Sequence, residues 1–147
     1  MKIVPNMNTF KIMSEDGYVD FNGVSRVKVT DADAVKITVN NTETYTFTVD
    51  HVLYTFTGEI TAGSVAVGTL LDDDNVVTAV EAVKYTGYVY DIISVDNERS
   101  NFIVGKQVKV NSSNCVVGSS KTKYRNKVTG EIVELSMVEL KELLKSQ

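Results

Sequence analysis

Alternation of polar and apolar residues is the feature that most limits the folds open to this sequence. Ala34 to Val39 and Thr44 to Val49 carry polar residues, mostly Thr, at alternate positions, and the turn-forming pair Asn40-Asn41 lies between them. This pattern predicts a β-hairpin with one half-exposed face. We expect further extended segments at 9–14, 18–21, 24–30, 51–57, 60–67, 76–85, 88–95, 101–110, 121–125 and 131–135.

Short polar or glycine-containing breaks separate these segments. Glu15-Asp16-Gly17 predicts the turn of a first hairpin. Asp31-Ala-Asp33 predicts the end of one strand, and Thr86-Gly87 predicts a break between two others. The acidic run Asp72 to Asn75 is expected to be a loop.

One segment has helical periodicity instead. Ser136 and Glu139 have the spacing of a capping box, and the apolar residues that follow Ser136 recur at helical spacing. We expect the residues on the buried face to be Met137, Leu140, Leu143 and Leu144. The fold class is therefore all-β with one short C-terminal helix.

Length and charge exclude several classes of protein. The chain has 147 residues with 43% apolar composition, which suits a single domain over residues 1–147. The net charge of −4 argues against a nucleic-acid partner, whose phosphates require a basic surface. The sequence shows neither an apolar run near twenty residues nor a leader, so we expect a cytoplasmic protein that does not contact a membrane.

The segment from Asn101 to Thr122 contains the residues with the most suggestive chemistry. An apolar hairpin ends at Asn111 and is followed by Ser112, an arrangement in which the Asn side chain can attack its own backbone carbonyl. Cys115, the only cysteine, follows three residues after Ser112. A lone cysteine excludes an internal disulfide, and it is either a buried apolar residue or a reactive thiol.

The sequence resembles inteins, the self-excising domains of the Hint (hedgehog and intein) class, in four places. Thr48-Val-Asp-His51 is similar to the family's Thr-x-x-His element, and Tyr88-Val-Tyr-Asp91 is similar to its Tyr-Asp strand. Asn111 lies nine residues after Phe102, which is the usual spacing of the terminal Asn. The segment from Cys115 to Leu144 resembles the opening of an intein.

These matches become collinear with an intein only when the chain is rotated. Residues 1–111 resemble the C-terminal part, residues 115–147 resemble the N-terminal part, and residues 112–114 resemble a remnant of flanking sequence. The resemblance implies a circularly permuted split intein with the flattened β-horseshoe of the Hint class. It also implies two partners, the chain's own flanking (extein) peptide and a complementary intein fragment in the natural split form.

The resemblance assigns a role to each site residue. Cys115 would attack the preceding carbonyl, that of Asn114, to form a thioester, and Ser112 would receive the acyl group. His51 would protonate the departing nitrogen with help from Thr48. Asp91 would relay a proton, and Asn111 would cyclise. These steps depend on positioning, and the resemblance implies neither a cofactor nor a metal.

Two positions depart from the family pattern, and one register stays open. Val110 and Ser100 stand where inteins usually or often have His. The terminal Asn is Asn111 by spacing, whereas Asn114 is the alternative because it precedes Cys115 directly. The rival hypothesis for the whole chain is a non-enzymatic β-rich binding or structural module in which Cys115 is buried and His51 is structural.

Overall fold

A computed structural model describes residues 2–72, 74–97, 101–105, 108–111, 116–117 and 121–146, and for Asn111, Val116 and Val117 it describes the backbone. Within these ranges the chain forms thirteen β-strands and one α-helix, which confirms the all-β prediction. The strands are β1 Lys2–Pro5, β2 Phe10–Ser14, β3 Gly17–Val19, β4 Gly23–Val39, β5 Glu43–Thr48, β6 Val52–Thr55, β7 Gly58–Thr61, β8 Val77–Ile93, β9 Asn101–Val104, β10 Val108–Asn111, β11 Val116–Val117, β12 Lys121–Asn126 and β13 Ile132–Ser136, and the helix is α1 Met137–Lys145.

Two long strands form the frame of the molecule. β4 and β8 pair antiparallel from Gly23 opposite Ile93 to Val39 opposite Val77. They belong to a sheet with the order β1-β4-β5-β11-β8, in which β4 and β8 also pair directly. The pairings β4–β5, β5–β11, β11–β8 and β8–β4 therefore form a closed ring of four strands.

The predicted breaks at residues 31–33 and 86–87 are wrong. β4 continues through the first as a β-bulge between Val29 and Ala32, where Asp31 adopts a positive φ of 51°. The Asp31 N–H donates to Thr86 Oγ1 at 2.9 Å, so a side chain of the facing strand satisfies the bulged residue. A bulge bends a strand without ending it, which explains why both turn signals lie inside one paired ladder.

The predicted strand over residues 60–67 is also wrong beyond Thr61. β7 ends there, and Ala62–Ser64 form a single 3-10 turn. The Gly63 N–H donates to the Val49 carbonyl at 3.0 Å, and a Cβ at Gly63 would lie 3.0 Å from the Val49 side chain. This close approach ties the turn to the end of β5.

A second sheet has the order β7-β6-β10-β9. The predicted hairpin that ends at Asn111 is confirmed, with β9 and β10 paired from Val104 opposite Val108 to Asn101 opposite Asn111. The extended segment expected over 101–110 is therefore two strands. Val110 also pairs with Leu53 of β6, and its side chain is fully buried. The position where inteins usually have His is thus part of the apolar core.

The third sheet, with the order β13-β12-β2-β3, joins the two ends of the sequence. β12 pairs with β2 through Tyr124 opposite Ile12, and with β13 on its other side. Both Tyr124 and Ile12 are fully buried.

The capping box that begins α1 is confirmed. Ser136 Oγ accepts from the Glu139 N–H at 3.2 Å, and Glu139 Oε1 accepts from the Ser136 N–H at 2.9 Å. Leu143 is 45% exposed, so its predicted place on the buried face is wrong. The buried face consists of Met137, Leu140, Lys141 and Leu144. α1 lies against β13, β1 and β4.

Within the described ranges, no helix combines the length and the hydrophobicity that crossing a bilayer would require.

Candidate functional site

His51 lies in the tight turn that follows β5. Its N–H donates to the Thr48 carbonyl at 3.1 Å, and its own carbonyl accepts from the Ala62 N–H at 2.7 Å. The residue is 0% exposed, and its imidazole stacks on the Phe47 ring with centroids 5.0 Å apart and planes 16° apart. Backbone bonds and ring stacking together fix the position of this imidazole.

Burial determines the protonation state of His51. It lowers the pKa of the imidazole from 6.5 to about 3, because a charged ring would lose its hydration. Neither Nδ1 nor Nε2 has a hydrogen-bond partner among the residues that the structure describes. At neutral pH the ring is therefore neutral and has both an N–H donor and a free acceptor nitrogen.

Asp91 is the second titratable group with a displaced pKa. It lies on β8 opposite Ser25 of β4, and its Oδ1 is buried with no partner within the described ranges. Burial raises the pKa of the carboxyl from 3.8 to about 8, against the opposing effect of the Ile92 N–H. At neutral pH this carboxyl mostly retains its proton.

Thr48 is the last residue of β5 and is half-buried. Its backbone pairs with Ala34 of β4, and its carbonyl accepts from His51. The Thr-x-x-His spacing thus corresponds to one turn in which the two residues share a backbone hydrogen bond.

Asn111 ends β10 opposite Asn101. Asn101 is 0% exposed, and the side chain of Asn97 makes three hydrogen bonds to it, of 2.8 to 3.0 Å. The family resemblance assigns no role to Asn97 or Asn101. The signal that could have found them is the Asn-x-x-x-Asn spacing immediately before the hairpin.

The short strand β11 is the element that brings these parts together. Val116 pairs with Phe47 of β5 on one side and with Tyr90 of β8 on the other. Phe47 directly precedes Thr48, and its ring stacks on the His51 imidazole. Tyr90 directly precedes Asp91. Cys115, Ser112 and Asn114 lie outside the described residues.

The described ranges contain no group of three or more His, Cys, Asp or Glu side chains placed to hold a metal ion. The acidic run is a loop in which Asp72 carboxylate oxygens accept from the Asn75 Nδ2 at 2.8 and 2.9 Å. Its polar atoms thus bond to one another.

Comparison with known proteins gives matches at the level of structure. No protein-family model and no curated sequence matches the chain. Among solved structures, a consensus engineered intein (Cat) with an atypical split site superposes with a TM-score of 0.62 at 19% identity, over 75% of this chain and 87% of that one. The VidaL intein gives a TM-score of 0.54 at 15% identity, over 71% and 70% of the two chains.

A bacterial intein-like domain from Clostridium thermocellum gives a TM-score of 0.53 at 19% identity, over 76% of this chain and 99% of that one. At these identities the similarity establishes the fold. The chain has the intein (Hint) fold, as the sequence resemblance implied.

Proposed function

We propose that this chain is a protein-splicing element of the intein type that rearranges its own peptide bonds, with its C-terminal part placed first. One observation carries the proposal. Val116, covalently bonded to Cys115, pairs with Phe47, whose ring stacks on the His51 imidazole. Through this pairing, Val116 links the residue that we propose as the nucleophile, Cys115, to the strand that precedes the His51 turn.

The first step is an acyl shift at Cys115. The sulfur attacks the Asn114 carbonyl carbon, the C–N bond between residues 114 and 115 breaks, and a thioester forms. The thiol proton ends on the freed amine of Cys115, so the step needs a group that accepts a proton and then donates one. The neutral His51 imidazole can do both. Because burial lowers its pKa, the protonated ring is a stronger acid than free imidazolium, which favours proton donation to a departing amide nitrogen.

Asp91 is the second proton-transfer group. With a pKa near 8 its carboxyl holds a proton at neutral pH and can release it nearby at small energetic cost. Its neighbour Tyr90 pairs with Val116, on the side of β11 opposite to β5. Thr48, at the end of β5, orients the imidazole through the turn that it shares with His51.

The remaining steps involve the other junction. Ser112 Oγ attacks the thioester carbonyl carbon of Asn114, the C–S bond to Cys115 breaks, and the hydroxyl proton ends on the departing Cys115 sulfur. The Asn111 side-chain nitrogen then attacks the Asn111 carbonyl carbon and breaks the bond to Ser112. We assign Asn111 as the terminal Asn, since it ends a paired strand and has the expected spacing from Phe102.

The order of the two parts limits the products. Complete splicing of this chain would release residues 112–114 as a three-residue ring, which is strained. We therefore expect cleavage at one junction rather than ligation.

The pairing of strands supports the assignment of residues 1–111 and 115–147 as two parts of one intein. β11 enters between β5 and β8, β12 pairs with β2, and α1 lies against β1. The second part thus completes two of the three sheets of the first. In a natural split form the same pairings would join two chains. One of the solved inteins with this fold is described as having an atypical split site.

Incubation with a small thiol tests the proposal. The thiol should intercept the thioester and separate residues 1–114 from 115–147, and intact-mass spectrometry would identify both fragments. Cys115→Ala should abolish this cut and leave any cut between Asn111 and Ser112. If the folded protein yields neither pair of fragments, and Cys115 also resists thiol labelling, a β-rich binding module is the correct description.

A further inference from the structure

The orientation of the His51 imidazole comes from packing within the described part of the chain. Neither ring nitrogen has a hydrogen-bond partner there. A histidine that transfers protons is ordinarily oriented by a hydrogen bond that one ring nitrogen donates to a carboxylate or a backbone carbonyl. In place of such a bond, the imidazole lies on the Phe47 ring, with the two planes 16° apart.

Phe47 is the middle member of a row of three rings. Tyr45 and Phe47 alternate along β5, so their side chains project to the same face of the strand. Their ring centroids are 6.2 Å apart, and their planes differ by 19°. Tyr45, Phe47 and His51 are all buried. We call these three stacked side chains the aromatic row.

The Tyr45 end of the aromatic row is fixed from two directions. The Tyr45 hydroxyl donates to Glu43 Oε2 at 2.7 Å. Gly105, which directly follows β9, lies so close to Tyr45 that a Cβ at this position would overlap the Tyr45 hydroxyl and ring. The Gly105 N–H donates to the Lys121 carbonyl at 2.6 Å, so β12 holds the glycine in place. In a close-packed interior, a ring that is held in this way also restricts the ring stacked on it.

We infer that Phe47 and Tyr45 are positioning residues for the His51 imidazole, an inference that rests on the proposed function. The Phe47 ring fixes the plane of the imidazole, and Tyr45 keeps the Phe47 ring in place. Because a phenyl ring binds neither imidazole nitrogen, one nitrogen remains free to accept a proton and the other to donate one. A carboxylate in the same place would occupy the N–H of the imidazole. Neither positioning residue gains or loses a proton in the reaction.

Removal of one ring at a time tests the inference. Phe47→Leu keeps a buried apolar side chain but leaves the imidazole without its stacking partner. This change should slow the thiol-induced cut before Cys115 by about tenfold or more, because a misplaced reacting group loses effective concentration. Tyr45→Leu should slow the same cut by a smaller factor. Phe21→Leu is the matched control, since Phe21 is a buried ring that packs on Tyr124 outside the aromatic row, and the cut should keep its original rate.

A second measurement detects the stacking without any cleavage. His51 is the only histidine of the chain, so its imidazole C–H signals in an NMR spectrum can be identified directly. The ring current of Phe47 should displace these signals from those of free histidine. Phe47→Leu should move them, whereas Phe21→Leu should leave them in place.

Two results would overturn the inference. Imidazole signals that do not move in Phe47→Leu would show that the Phe47 ring does not hold His51. Signals that move while the rate of the cut stays unchanged would show that this contact has no role in the reaction. Absence of the cut from the unmodified protein would instead reject the proposed function, and with it the role of Phe47 and Tyr45 in the reaction, even where the signals show the stacking.

Discussion

Four buried polar side chains have atoms without hydrogen-bond partners in the described part of the chain. They are His51, Asp91, Asn101 and Thr122. An unsatisfied buried polar group costs roughly 1–3 kcal/mol of folding free energy. Displaced pKa values and unpartnered polar atoms typically occur together at functional sites, where the missing partner is a reacting group.

Asp91 should make stability depend on pH. Its carboxyl has a pKa near 8 in the folded protein and an ordinary value of 3.8, so between these pH values the folded state holds a proton that the unfolded state releases. Stability should therefore fall as pH rises toward 8. His51 acts in the opposite sense, but only below its ordinary pKa of 6.5.

Asp91→Asn should remove the loss of stability between about pH 6.5 and 8. We expect the unmodified protein to lose on the order of 1 kcal/mol over this interval, an amount reduced because the side chain is partly solvated. Urea denaturation at several pH values measures it. An equal slope in both proteins would show that the Asp91 carboxyl is ionised at neutral pH.

Replacement of His51 by Phe should slow the cleavage reaction more than it lowers the stability of the fold. His51→Phe keeps a ring to stack on Phe47 in the buried turn but removes both nitrogens. We expect the thiol-induced cut before Cys115 to slow by about 10²- to 10⁴-fold, the usual contribution of a general acid-base group. The rate of fragment formation by mass spectrometry checks this, and a rate like that of the unmodified protein would remove His51 from the mechanism.

At this scale the sequence identified residues through the family resemblance, and other residues escaped it. Short motifs indicate Thr48, His51 and Asp91, whose roles stay predictions. Thr48 and Asp91 lie on the two strands that pair with β11, and His51 lies in the turn that follows one of them. Phe47 belongs to no motif, and Asn101 belongs to the Asn101-Phe102 match but receives no role from it. Their importance comes from a ring contact and a cross-strand pairing, which only the folded chain creates.

At the scale of elements, the local sequence pattern predicts neither the existence of β11 nor the full length of β4. β11 has two residues, too few for any periodicity, and it exists because β5 and β8 leave an open position between them. β4 was expected to end at Asp31, since Asp is typical of turns. Tertiary pairing with β8 on the far side of the bulge overrides that local preference.

The helix, by contrast, begins where the sequence indicated, and its cap can be tested. Ser136→Ala removes the acceptor for the Glu139 N–H and should lower the free energy of unfolding by about 1 kcal/mol. The matched control is Ser146→Ala at the other end of α1, where the hydroxyl donates to the Leu143 carbonyl at the exposed surface. Its effect should stay within about 0.5 kcal/mol. Equal losses in chemical denaturation would show that the capping box contributes nothing specific.

The whole molecule consists of two sequence parts with opposite charge. Residues 115–147 contain six Lys or Arg and four Asp or Glu, a net +2, whereas residues 1–114 contain nine and fifteen, a net −6. Contacts of opposite charge join them in the structure, since Lys127 Nζ lies 2.6 Å from Asp20 Oδ1. Such complementarity would speed association if the parts were separate chains.

We propose that this chain differs from an ordinary intein chiefly in the order of these two parts, besides the two positions, Val110 and Ser100, where inteins usually or often have His. The most direct test is a rotated chain in which residues 115–147 are followed by residues 1–111, with one foreign peptide before Cys115 and another beginning with Ser after Asn111. Mass spectrometry should find the two foreign peptides joined and the intervening segment released, and Cys115→Ala should prevent the joining. A rotated chain that folds but leaves both junctions intact would contradict the account.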